Sequence, residues 1–285
     1  MNKIKYFSNK IAIVTGGGSG IGKTICEFLV KYNAKVIIAD INYENAKDVE
    51  HQIIQSGGFA KATKVDVSNE LEIKQLIEDT FNEFGKIDLL FNNAGISVNG
   101  EFQDTSLEYW QKIINVNLWG VVFGCHYAYP IMMKQGFGQI INTSSLSGLI
   151  SGGLTSSYST SKYAVVGFSM TLRAEAKQYG IKINTLCPGV MNTSILETTP
   201  IVSDYLKVSE EKENKKETRL KWAKPEKNIN QIMRGVRRNK GIIVAPRIQK
   251  IFWNMNRMFP GFSVKMFSYV IKTMKNNYNK KRTSR

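Results

Sequence analysis

The chain has 285 residues, 42% hydrophobic and 11% aromatic, with 39 Lys+Arg against 23 Asp+Glu. At roughly 150 residues per domain this allows one large domain or two small ones, and the apolar fraction excludes a disordered chain. No run of 18 apolar residues could span a bilayer, and the basic start MNKIKYFSNKIAIV lacks the apolar core and cleavage site of a signal peptide. Three scattered cysteines (Cys26, Cys125, Cys187) and two histidines (His51, His126) form neither a disulfide framework nor a metal site. The cysteines read as small core residues, and the expected location is cytoplasmic.

Along the chain, short β-branched runs predict strands at 11–15, 35–40, 61–67, 87–92, 139–144, 182–187 and 241–246. They are continuous in Val and Ile, as strands covered on both faces are. Amphipathic stretches separate them, such as 69–84 with Leu71, Ile73, Leu76, Ile77, Thr80 and Phe81 inward. Repeated strand–helix–strand units imply an α/β fold: a doubly wound, Rossmann-type sheet of seven parallel strands. This predicts a single catalytic domain over residues 1–246. Within it, the charged segment 194–230 reads as a mobile insertion that closes a substrate pocket, and 247–285 as a helical extension.

The first strand runs into Thr15-Gly16-Gly17-Gly18-Ser19-Gly20-Ile21-Gly22, which opens a helix. Glycines there let the backbone approach a pyrophosphate held at the positive helix N-terminus. Asp40 closes the second strand, 18 residues beyond Gly22. A carboxylate at that place accepts hydrogen bonds from ribose hydroxyls and repels a 2′-phosphate, so the expected cofactor is NAD rather than NADP. The bland alternative for Asp40 is a helix cap.

With TGGGSGIG in place, the later motifs give the chain its resemblance to the short-chain dehydrogenase/reductase family. Asn92-Asn93-Ala94-Gly95 resembles that family's NNAG, and Val65-Asp66-Val67 its adenine-contacting segment. Ile114-Asn115-Val116-Asn117-Leu118 matches the helix with the family's catalytic Asn, which the motif places at Asn117 rather than Asn115. Tyr158 and Lys162 form its YxxxK pair, and the thirteen-residue gap to Tyr158 selects Ser145 over Ser144. Pro188-Gly189-Val190-Met191-Asn192-Thr193 is similar to the segment that contacts the nicotinamide. The resemblance thus implies catalytic Asn117, Ser145, Tyr158 and Lys162. It implies cofactor contacts from Gly16, Ser19, Gly20, Ile21, Gly22, Asp40, Asp66, Val67, Asn93, Ala94, Gly95, Tyr158, Lys162, Pro188, Gly189, Val190 and Thr193. It also implies a homodimer or homotetramer.

Tyr158 and Lys162 share a helix face. A free phenol has a pKa of about 10, too high for a base near neutrality, and a nearby ammonium and oxidised nicotinamide should lower it. Tyr158 then exchanges a proton with a carbinol oxygen, and Ser145 hydrogen-bonds the same oxygen. The resemblance adds that Lys162 binds the nicotinamide ribose and that Asn117 holds a water linking Lys162 to solvent. The expected activity is NAD(H)-dependent oxidation of a secondary alcohol or reduction of a ketone, with a small, lipophilic substrate of steroid, retinoid or acyl type. The alternatives are a nucleotide-binding regulatory protein without turnover and an NADPH-dependent 3-oxoacyl reductase.

Charge is concentrated at the end of the chain: after Glu226 there are 15 Lys+Arg and no acidic residue. Ile248, Ile251, Phe252, Met255, Met258 and Phe259 fall on one helical face, Pro260-Gly261 interrupts, and Met266, Phe267, Val270, Ile271 and Met274 repeat the pattern. Basic residues opposite aromatic ones suit a helix lying on an anionic membrane surface, which makes 247–285 a candidate peripheral anchor. Packing on the body is the alternative. Nucleic acid is not expected, because no stacking platform or binding motif accompanies the charge.

Overall fold

A computed structural model describes residues 3–150, 152–207 and 222–283. In chain order the elements are α1 (Lys3–Phe7), β1 (Ile11–Thr15), α2 (Gly20–Lys31), β2 (Lys35–Asp40), α3 (Tyr43–Gln55), β3 (Phe59–Lys64), α4 (Glu70–Phe84) and β4 (Leu89–Asn92). Then come α5 (Leu107–Ile114), a π turn (Asn115–Trp119), α6 (Gly120–Gln135), β5 (Gly138–Thr143), α7 (Ser156–Ala176), β6 (Ile181–Pro188) and α8 (Ile195–Thr198). The described chain ends with α9 (Pro225–Arg237), β7 (Ile242–Ala245), α10 (Gln249–Met258) and α11 (Gly261–Thr283).

The seven strands form one sheet in the order β3-β2-β1-β4-β5-β6-β7, with every pair parallel. Side chains alternate across it, as the pleat requires. Ala12 and Val14 of β1 join α1, α2, α3 and α9 in one core, through Phe7, Ile25, Leu29, Ile53 and Ile232. Ile13 points the other way, into a core built with α4, α6 and α7 around Ile73, Ile77, Ala128, Met132 and Val165. Strand order reverses between β1 and β4, and a crevice opens there at the carboxyl ends of the strands.

Three details differ from the sequence reading. Leu71, expected inward on α4, is 71% exposed, because it lies in the first turn before the helix meets the sheet. The third strand stops at Lys64, and Val65-Asp66-Val67 forms a turn in which Ser68 donates to Asp66 through its amide at 2.9 Å and its hydroxyl at 2.7 Å. Part of 194–230 is ordered packing rather than a solvated insertion: Ser203, Tyr205 and Leu206 are buried, and α9 starts at Pro225. The charged stretch 208–221 lies outside the described residues.

The tail divides into two helices at Pro260-Gly261, as its pattern predicts. In α10 the apolar stripe faces outward: Ile248, Ile251, Phe252, Met255, Met258 and Phe259 are 36–71% exposed. The helix turns Gln249, Trp253 and Asn256 toward the body instead, and Trp253 packs with Leu149, Cys187 and Val244. In α11 the stripe is half-buried at Met266, Phe267, Ile271 and Met274, while Val270 is exposed. No described helix is long and apolar enough to cross a membrane.

Candidate active site

The glycine loop is shaped by contacts that exclude side chains. Gly16 has φ +63°, and a Cβ there would fall 2.8 Å from the Ala94 Cα; at Gly22 it would fall 1.9 Å from the Gly16 carbonyl oxygen. Asn93 stitches the loop to β4: its side-chain amide donates to the Thr15 and Gly16 carbonyls at 3.1 and 3.3 Å. The Thr15 hydroxyl accepts the amides of Asn93 and Ala94 at 2.9 and 3.1 Å. On the other side the hydroxyls of Ser19 and Ser194 meet at 2.8 Å, bringing the segment after β6 over the loop.

Asp40 is not the cap of α3. That role belongs to Asn42, whose side chain accepts the Asn45 amide at 3.2 Å. Asp40 instead accepts the Gly18 amide at 2.9 Å and the Asn42 amide at 3.0 Å, so its carboxylate is fixed at the rim of the crevice.

At the far end of the crevice α7 brings Tyr158 and Lys162 beside the end of β5. The Ser145 hydroxyl lies beside the Tyr158 phenol, donates to the Pro188 carbonyl at 3.5 Å and accepts the Ser147 amide at 3.1 Å. Ser144 points away, donating to the Lys162 carbonyl at 2.7 Å inside the protein. Lys162 Nζ donates to the Thr143 carbonyl at 3.1 Å and lies 5.6 Å from the centre of the Tyr158 ring.

Burial disfavours the charged form of both α7 residues. It raises the Tyr158 pKa, an effect the adjacent Ser145 hydroxyl only offsets, and lowers that of Lys162 to about 8. The low phenol pKa expected from the sequence is therefore not supplied by the protein's own groups: desolvation outweighs the partners that Tyr158 has.

Asn117 sits in the π turn between α5 and α6, fully buried. Its side chain accepts the Ile96 amide at 2.9 Å and donates to the Ile96 carbonyl at 2.9 Å and the Ser161 hydroxyl at 3.0 Å. It lies behind the crevice wall and ties Ile96, just after the Asn92–Gly95 segment, to α7. A Cβ on Gly95 would fall 3.2 Å from both Asn117 Oδ1 and Lys162 Nζ.

One cleft of about 1010 Å³ joins these parts. Gly16, Ser19, Gly20, Ile21, Asp40, Asp66, Val67, Asn93, Ala94 and Gly95 line its nucleotide end. Ser145, Tyr158, Lys162, Pro188, Gly189 and Val190 line the other, and Thr193, also in the lining, sits over Gly20. Gly22 and Asn117 support the walls from behind. Sequence reasoning missed Ile41, Asn45, Ile96, Ile150, Thr199 and Phe267, all of which reach the cleft. Asn45 had a signal, lying shortly after Asp40 in the first turn of α3; Phe267 had none.

The profile of the short chain dehydrogenase family matches residues 10–201, which hold the glycine loop and all four of Asn117, Ser145, Tyr158 and Lys162. The chain belongs to the short-chain dehydrogenase family. This short-chain dehydrogenase is 38% identical over 192 residues to the cyclohexanol dehydrogenase of Acinetobacter sp. strain SE19, covering 67% of this chain and 76% of that one. It is 36% identical over 193 residues to the 2,5-dichloro-2,5-cyclohexadiene-1,4-diol dehydrogenase of Sphingobium indicum, covering 68% and 77%. It spans only 33% of the probable oxidoreductase EphD of Mycobacterium tuberculosis. Its fold superposes on a short-chain dehydrogenase of Burkholderia phymatum crystallised with NAD, with a TM-score of 0.80 and 25% identity over 88% of this chain and 94% of that one. Residues beyond 201 lie outside the family match.

Proposed function

We propose that this short-chain dehydrogenase transfers hydride between a nicotinamide dinucleotide, NAD(H) in preference to NADP(H), and an apolar secondary alcohol or ketone. The observation that carries the reading is one continuous cleft with the glycine loop and Asp40 at one end and Ser145, Tyr158 and Lys162 at the other. The loop at the N-terminus of α2 lines the cleft with Gly16, Ser19, Gly20 and Ile21, and backbone amides at such a helix start suit a pyrophosphate. Among the described residues the lining carries no cation beside Asp40 that would hold a 2′-phosphate; its lysines are Lys112 and Lys162.

When bound, the nicotinamide accepts or donates the hydride, and its oxidised form adds the positive charge that favours the Tyr158 phenolate. Lys162 holds the ribose and places an ammonium near the phenol. Tyr158 takes the hydroxyl proton of the alcohol, or returns it to the ketone oxygen. Ser145 donates to that oxygen as charge develops on it. Asn117 and Lys162 both approach Gly95, and a water bridging them would pass the proton outward.

The substrate end is walled by Ile96, Ile150, Val190, Ile195 and Phe267, which suits a ring-shaped or chain-like apolar alcohol. A panel of cyclic and acyclic secondary alcohols, followed by NADH absorbance with Tyr158→Phe as the blank, tests the reading. Turnover that does not depend on Tyr158 would overturn it.

The outward stripe of α10 supports a second element of this reading, docking on an anionic membrane surface. Six exposed apolar side chains lie in a segment, 227–285, that carries 15 cations and no acid. Apolar insertion and attraction to anionic headgroups then act together.

A further inference from the structure

We infer that α11 forms a wall of the substrate cleft and that Phe267 is a specificity-determining residue, setting how large an apolar alcohol can lie against Tyr158. The inference rests on the cleft being the active site.

Phe267 is half-buried and lines the cleft together with Ser145, Ile150, Thr155, Tyr158 and Thr199. It stands 109 residues after Tyr158, yet packing brings it to the loop that joins Ser145 to α7. A Cβ added to Gly153 of that loop would fall 2.6 Å from Ile271 Cδ1 and 3.5 Å from Phe267 Cβ, so α11 rests directly on the Gly153 backbone. The loop is itself tied to the turn after β4, where the Gly100 amide donates to the Leu154 carbonyl at 2.8 Å.

One helix stripe makes all these contacts. Phe267 and Ile271 meet the loop, and one turn further Lys275 Nζ pairs with Glu101 Oε1 at 2.7 Å. Lys275 also lies 5.6 Å from the Tyr205 ring, and Tyr278 meets that ring at 6.5 Å between centroids. Glu101 is anchored in turn, its amide donating to the Ser203 hydroxyl at 2.8 Å. At the other end of α11 the Ser263 hydroxyl donates to Asn256 of α10 at 2.7 Å. The helix is thus held at both ends, and Phe267 is presented to the cleft from a fixed axis. Lys275 and Glu101 are positioning residues that act through Phe267.

A phenyl ring in the wall of an apolar pocket selects by volume: removing it leaves room that only a larger ligand fills, and enlarging it excludes such a ligand. The test compares kcat/KM for cyclohexanol with that for a bicyclic secondary alcohol such as 2-decalol. Phe267→Ala should raise the bicyclic-to-monocyclic ratio at least fivefold and Phe267→Trp should lower it, both with NADH affinity within twofold of the parent. Lys275→Glu should raise KM with kcat nearly unchanged, and Glu101→Lys combined with Lys275→Glu should restore KM. In a Tyr158→Phe background, calorimetric Kd values of the matching ketones for NADH-loaded protein should show the same size shift without chemistry.

Size ratios and ketone Kd values that stay within twofold in both Phe267 variants would overturn the wall. Turnover independent of Tyr158, with ketone Kd values that still follow the size of residue 267, would overturn the acid/base reading and leave the wall standing.

Discussion

The Asp40 carboxylate grips the backbone of Gly18, accepting its amide at 2.9 Å at the rim of the nucleotide cleft. One negative charge is thereby fixed beside the glycine loop, where an incoming 2′-phosphate would meet it. Catalytic efficiency with NAD(H) should exceed that with NADP(H) at least tenfold, which corresponds to about 1.4 kcal/mol. Asp40→Ala should narrow the gap, with some loss of affinity for both cofactors because the Gly18 contact goes too. Equal efficiencies in the parent protein would refute the selectivity.

Ser144 and Ser145 are adjacent, but only Ser145 reaches Tyr158. Tyr158→Phe keeps the ring and removes the proton carrier, so turnover should fall at least ~100-fold with NADH affinity nearly unchanged. Ser145→Ala should cost turnover in the same way, whereas Ser144→Ala breaks a bond to the Lys162 carbonyl and should act on stability first. Stopped-flow hydride transfer and fluorescence titration of NADH separate these effects. Full activity in Ser145→Ala would remove that residue from the chemistry.

The glycine loop, the order of the motifs and all seven strands were legible in the sequence, for a physical reason. A strand covered on both faces must be apolar at every position, so β1, β2 and β4 appear as unbroken runs. The end of β3 was not legible, because Val65-Asp66-Val67 has strand-like side chains while Asp66 folds the backbone onto Ser68. The tail shows a second limit. A period of 3.6 gives the angular position of each side chain on a helix but not the partner that each face meets. Hence α10 turns Gln249, Trp253 and Asn256 toward the body and leaves its apolar stripe outside, and Phe267 reaches a cleft whose other walls lie far away in sequence. The amide of Gln249 even occupies the space beside Gly189, where a Cβ would fall 1.0 Å from its Oε1. The tail is therefore in contact with the segment that the family resemblance assigns to the nicotinamide.

Lys162 should lower the stability of the cofactor-free protein. Burial brings its pKa from the usual 10.5 to about 8. Between those values the unfolded chain keeps a proton that the folded chain has released, so this residue makes stability rise with pH from about 8 to about 10.5. Below pH 8 both states hold the proton and the penalty is complete, on the order of 3 kcal/mol for a shift of this size. Lys162→Met should therefore stabilise the protein at pH 7 by up to that amount, less the lost contact with the Thr143 carbonyl, while abolishing turnover. The advantage should shrink as pH rises. Urea unfolding at pH 7 and 9.5 measures both, and a variant that is less stable at pH 7 with the same gap at pH 9.5 would contradict the argument.

The outward stripe of α10 gives the last expectation. Because Phe267 and Gln249 belong to the cleft and its surroundings, removing the whole tail would confound docking with loss of the site, so point substitutions are the sharper probe. Ile251 and Met255 are exposed and one turn apart, and placing Asp at both should leave the fold and the turnover of soluble alcohols intact. Inserting such side chains into a membrane interface contributes about 1.5–3 kcal/mol each when burial is complete. The paired substitution should therefore lower binding to phosphatidylserine-containing vesicles at least tenfold. Binding of the parent protein should weaken from low to physiological salt, since the cations of 227–285 act through a screened potential. If Ile251→Asp with Met255→Asp instead turned a dimer into a monomer, with no vesicle binding by the parent at low salt, the stripe would be a contact between copies of the chain and the membrane reading would fall.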